Sequence, residues 1–87
     1  MDITQLREQL NKTDDALVKA FRERMHIVLE IARYKKENGL QVHDPAREAA
    51  VIKRLTQDDK TFADAVETLY RAMFEISRDL QRKFMAE

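Results

Sequence analysis

The sequence has no cysteine among its 87 residues, which excludes disulfides and thiolate metal ligands. Its two histidines, His26 and His43, lie far apart without the close spacing of a ligand pair, so no metal site is expected. Glycine and proline occur once each, as Gly39 and Pro45, and they bracket one evident connector. Charge of one sign is also missing: 16 Lys plus Arg balance 16 Asp plus Glu, which argues against a nucleic-acid partner held by general electrostatic attraction. No apolar run approaches the ~20 residues of a membrane span. The opening Met1-Asp2-Ile3-Thr4 shows no basic stretch followed by an apolar one, and a cytoplasmic protein without a membrane partner is the expectation. A domain this small buries little, and without disulfides or metal a partner chain is the remaining source of burial.

What the chain does have is helix formers. With 37% charged residues and few breakers, it reads as all-α, one domain over residues 1–87 with three helices, long, short and long. The first should run over about residues 4–38, opened by an Asp2/Gln5 capping box and stopped by Gly39 after Arg33, Lys35 and Lys36. Heptad positions a (Ile3, Leu10, Leu17, Arg24, Ile31) and d (Leu6, Thr13, Ala20, Ile27, Tyr34) form a mostly apolar seam. The second helix should cover about 45–56, with Asp44 as N-cap, Pro45 at its first position, and Ala49, Ile52 and Leu55 facing inward. Gln57-Asp58-Asp59 form a turn into a third helix over about 59–84, which carries Phe62, Val66, Leu69, Met73, Ile76, Leu80 and Phe84 at helical spacing.

Length then constrains assembly. A helix of about 35 residues spans ~50 Å, whereas a compact domain of this size has a radius of gyration near ~12 Å. The first helix overshoots any globule its own chain can build. A second chain must cover part of its seam, and an antiparallel homodimer, an intertwined helical bundle, is the simplest closed arrangement.

Several polar residues interrupt this pattern, each with two readings. Arg24 in the seam either fixes register or awaits an anion. Lys35, three turns on and nearly on the same face, either complements the helix dipole or serves a site. Asp44, Arg47 and Glu48 can be a cap followed by a solvated ion pair. Ser77 and Gln81 share a face beside the apolar stripe and could merely mark its edge. Arg7 by itself is an ordinary surface arginine. Tyr70 and Phe74 read as core, and His26 and His43 as solvated.

Together these residues match a family pattern. Leu6-Arg7-Glu8-Gln9-Leu10, with Asp14, is similar to the opening segment of the all-α chorismate mutases. Glu23-Arg24-Met25 resembles the stretch holding that family's core arginine, and Ala32-Arg33-Tyr34-Lys35 its lysine near the end of helix one. Val42-His43-Asp44-Pro45-Ala46-Arg47-Glu48 resembles its turn into helix two, with Pro45 as a departure that should stiffen the turn. Glu75-Ile76-Ser77 and Gln81 are similar to its helix-three serine and glutamine. The segment between helices two and three is short for the pattern.

The resemblance implies rearrangement of chorismate to prephenate, an intramolecular Claisen reaction that needs no nucleophile, general acid, metal or cofactor. It implies that Arg7, from a partner chain, and Arg24 pair with the substrate's carboxylates, while Lys35 and Gln81 donate to the ether oxygen. Asp44 and Glu48 would hold the ring hydroxyl, and Arg47 and Ser77 would complete the carboxylate end. Arg7 and Arg24 lie ~25 Å apart along one helix, too far for a small diacid to bridge. In an antiparallel pair crossing near Asp15 and Ala16, Arg7 of one chain lands beside Arg24 of the other, giving two shared sites. Two other functions fit parts of the pattern. An isochorismate pyruvate lyase of the same fold would share Arg7, Arg24 and Lys35, although the Asp44-Arg47-Glu48 turn favours the mutase. A non-catalytic helical dimerisation module would need only the seam.

Overall fold

The computed structural model describes residues 1–87 and consists of three helices and nothing else regular: α1 (Ile3–Asn38), α2 (Pro45–Thr56) and α3 (Ala63–Ala86). Local capping explains most of their ends. Asp2 Oδ1 accepts from the Gln5 backbone N–H at 2.9 Å, and Gln5 Oε1 accepts from the Asp2 N–H at 3.0 Å, closing the expected box. At the other end Gly39 adopts the left-handed conformation, φ +64°, and its own N–H and that of Leu40 both turn back to the Lys35 carbonyl. Asp44 caps α2 by accepting from the Arg47 N–H at 3.0 Å, with Pro45 occupying the position that needs no donor.

The third helix begins at Ala63, four residues later than the turn suggests. Asp59 Oδ1 accepts from both Thr61 N–H (2.9 Å) and Phe62 N–H (2.7 Å), a side-chain-closed turn. Asp59 thus organises the approach to α3 rather than capping it, and Phe62 starts the helix without a side-chain cap.

Helix α3 is the central element, packing against both α1 and α2, which do not pack on each other. Contacts between α1 and α3 rise together along both helices, from Arg24 with Tyr70 to Lys36 with Phe84, so the two run parallel. Glu48 meets Arg78 while Leu55 packs near Tyr70, so α2 runs antiparallel to α3. The core is small: Val51, Ile52 and Phe74, flanked by Leu55 and Tyr70, with Val28 and Ala32 buried on α1. Tyr70 and Phe74 meet edge to face at 5.8 Å.

Three expected packing faces need correction. On α2 it is Val51 with Ile52, not Ala49, that is buried. On α3 the buried line is Phe74, Ser77 and Gln81, while Phe62, Leu69 and Ile76 of the apolar stripe face outward. On α1 the face that meets α3 includes Met25, Val28, Ala32 and Lys35, offset from the heptad seam. The seam's own Ile3, Leu6, Leu10, Leu17, Ile27, Ile31 and Tyr34 are all exposed. Residues 1–20 are exposed throughout. The chain is therefore a slab measuring 54 × 28 × 14 Å, with a radius of gyration of 16.1 Å, well above the ~12 Å of a compact chain of this length. No helix is long and apolar enough to cross a membrane.

Candidate functional site

The three helices and the connector enclose an open pocket of about 420 Å³, within the range of small-molecule sites. Its apolar lining comes from Ile27, Val28, Ile31, Val42, Val51 and Phe74. Its polar lining is Arg24 and Lys35 from α1, Arg47 and Glu48 from α2 with Asp44 at its cap, and Ser77, Arg78 and Gln81 from α3. Helical spacing places them: Ser77 and Arg78 follow Phe74 by three and four residues and precede Gln81 by four and three, so all share one side of α3.

Lys35 sits at the junction of all this. Its ammonium donates to the Val42 carbonyl at 2.8 Å and to Gln81 Oε1 at 3.0 Å. An ammonium has three donors, so one remains for a ligand. The same bond sets the amide of Gln81. A lysine donor can face only the amide oxygen, which turns the Nε2 donors of this buried residue away from Lys35. Lysine and glutamine thus line the pocket as two neighbouring donors, one charged and one neutral.

Arg24 has no carboxylate partner. Its guanidinium lies 5.6 Å from the Tyr70 ring centroid and 5.7 Å from that of Phe74, a cation–π support that holds the side chain while leaving its donors available. Arg47 and Lys35 likewise lack ion pairs, whereas Arg78 Nη1 pairs with Glu48 Oε2 at 2.6 Å. Ser77 Oγ donates to the Met73 carbonyl at 2.8 Å, one turn back. Four cations face two carboxylates in this pocket, and three of the four are unpaired. Such a surface suits a small dianion.

The profile of the family described as "Chorismate mutase type II" matches residues 6–82. The chain belongs to the chorismate mutase type II family. It is similar to a chorismate mutase of Methanocaldococcus jannaschii, 20% identical over 88 residues, covering 98% of this chain and 89% of that protein. A T-protein of Enterobacter agglomerans is 33% identical over 51 residues, covering 59% of this chain and 14% of that protein. A 3-dehydroquinate dehydratase of Pyrobaculum aerophilum is 37% identical over 49 residues, covering 56% of this chain and 16% of that protein. As a chorismate mutase, the chain is an isomerase.

Of the residues the family resemblance implicates, Arg24, Lys35, Asp44, Arg47, Glu48, Ser77 and Gln81 line this one pocket. Arg7 does not. It is exposed in the second turn of α1, within the stretch of residues 1–20 that is exposed throughout. The pocket also holds one cation that sequence reasoning missed, Arg78. Its signal was present: it follows Phe74 by four residues and precedes Gln81 by three, which puts it on the pocket side of α3.

Proposed function

We propose that this pocket rearranges chorismate to prephenate, and that it is completed by Arg7 of a second copy in an antiparallel homodimer with two shared sites. The observation that carries the reading is the set of unpaired cations around the Lys35–Gln81 pair, 3.0 Å apart. The reaction breaks an ether C–O bond and forms a C–C bond within one molecule. It transfers no proton to the protein and consumes no co-reactant. What a protein can supply is a folded substrate conformation and stabilisation of charge developing on the ether oxygen, contributions of several kcal/mol each.

Arg24, propped on the two aromatic rings, binds one carboxylate, and the partner subunit's Arg7 binds the other. The free donor of Lys35 and the amide Nε2 of Gln81 converge on the ether oxygen. Because these donors are already fixed by their mutual hydrogen bond and by Val42, they need little reorganisation as charge develops. Glu48 accepts from the ring hydroxyl beside the turn that Asp44 caps, and Arg47 and Ser77 complete the carboxylate end. The apolar seam left exposed along α1, together with Leu17, Val18, Phe21, Leu69, Ala72, Met73 and Ile76 in an apolar groove between α1 and α3, supports a partner of the same kind. An antiparallel copy buries both sets and carries its Arg7 towards Arg24.

The test follows chorismate absorbance with purified protein over a dilution series while sedimentation reports the oligomeric state. Chorismate should be lost enzymatically, with specific activity falling as the dimer dissociates. Absence of turnover would overturn the reaction, and undiminished activity in the monomer would overturn the shared site.

A further inference from the structure

The Glu48–Arg78 pair stands apart from the chain's other ion pairs. The three formed by Arg33, Arg71 and Arg82 lie within single helices, and their side chains are largely exposed. Glu48 and Arg78 join α2 to α3 and are only 19% and 22% exposed, and both line the pocket. Partial burial makes the pair costly to desolvate, so it adds little to stability for its own sake. Its geometry has another consequence. Arg78 Nη1 holds Oε2 at 2.6 Å, whereas Oε1 accepts no hydrogen bond and has the His43 Nε2 at 3.8 Å, beyond hydrogen-bond reach. One oxygen is anchored and the other is an open acceptor.

An unanchored Glu48 would have other choices. It shares its pocket with Arg24, Lys35 and Arg47, none of which has a carboxylate partner. A free carboxylate swings towards such cations, and Oε1 then no longer points at the substrate. We infer that Arg78 is a positioning residue for the mutase reaction: it fixes Glu48 so that Oε1 receives the substrate's ring hydroxyl, and thereby sets selectivity for a hydroxyl-bearing substrate. The inference rests on the chorismate reading of this pocket. Arg78 does not touch the reacting atoms.

The test compares Arg78→Met, which keeps the apolar stem, and Arg78→Lys with the wild type, both alone and combined with Glu48→Ala. For each protein the measurements are kcat and KM for chorismate, and the inhibition constant of an analogue whose ring hydroxyl is replaced by hydrogen. Losing an oriented charged acceptor should raise KM about tenfold. Since the hydroxyl is held in ground and transition states alike, kcat should stay within about twofold. The analogue's inhibition constant should not move, Arg78→Lys should recover part of the loss, and Arg78→Met should add nothing in the Glu48→Ala background. The inference is overturned if KM is unchanged, if KM and the analogue's constant rise together, or if Arg78→Met costs as much without Glu48 as with it. Thermal melts identify any variant that fails to fold. Should Arg78→Met do so, Arg78→Lys decides by the same ratio of KM to inhibition constant. Wild-type turnover of chorismate, measured alongside, separates failure of this inference from failure of the mutase reading.

Discussion

The two halves of α1 have the same seam pattern and opposite environments. From Phe21 onward the helix lies on α3, buries Val28 and Ala32, and delivers Arg24 and Lys35 to the pocket. Over residues 1–20 every side chain is exposed, although Ile3, Leu6, Leu10 and Leu17 continue the same apolar series. A helix that needed only its own chain would have no use for the first half. An isolated stretch of that length is marginal in water even when well capped, so its apolar residues imply a surface supplied from elsewhere. The comparison teaches that the helix is one element in two environments: one half lines its own chain's pocket, and the other offers an apolar surface that the proposed dimer would cover.

The sharpest way to break this comparison is to charge the bare half. Leu10→Asp would change an exposed residue, and in a monomer such a surface substitution should stay within about 0.5 kcal/mol. If a partner covers Leu10, a buried carboxylate costs several kcal/mol. Sedimentation should then show dissociation, with activity falling by roughly a hundredfold or more as the partner's arginine leaves. A dimeric, active variant would restore the plain reading of an exposed surface.

A smaller effect is expected at the packed end. In the proposed site Gln81 would donate through an amide that does not titrate, so this position should cost the wild type little turnover between about pH 6 and 8. In Gln81→Glu the side chain donates only when protonated, and Lys35, which bonds to Gln81 at 3.0 Å, would favour the charged form. Activity should drop about ten- to a hundredfold near neutrality and recover as pH falls. A pH–rate profile superimposable on the wild type's would remove Gln81 from the reaction.

The smallest effect belongs to the end of α1. Gly39 has φ +64°, and an added Cβ would meet no atom within 4 Å. Gly39→Ala should therefore cost only the backbone preference, about 1 kcal/mol, or a melting temperature lower by roughly 4–8 °C. Turnover should be unaffected. A larger loss would mean that the connector positions Lys35 and Val42 more tightly than their hydrogen bond indicates.

How much of this was legible in the sequence depended on the range of each interaction. The capping box at Asp2 and Gln5, the Gly39 stop and the Asp44-Pro45 start are settled by residues within a few positions, and each was readable. The start of α3 was misread because Asp59 has two uses for the same oxygen, capping a helix or closing a turn, and the chain takes the second. Packing faces were harder. The heptad series identified an apolar seam on α1 but not which partner it meets, and within this chain most of its apolar residues stay exposed. Ser77 and Gln81 looked like the edge of a stripe, yet they are among the few buried residues, because Lys35 supplies the partner for the amide. The Glu48–Arg78 pair joins positions 30 residues apart, and nothing in local spacing links them. Only α3 crossing between α1 and α2 brings them together.

The central claim, that the bare half of α1 completes a pocket in another chain, is tested most directly by mixing two inactive variants. Arg7→Ala and Arg24→Ala chains, each inactive alone, should recover activity when refolded together, because a mixed dimer holds one site with both arginines intact. Random pairing puts the expected recovery at roughly a quarter of the wild-type value. No recovery from a mixture in which mixed dimers are demonstrably formed would contradict a site shared between chains.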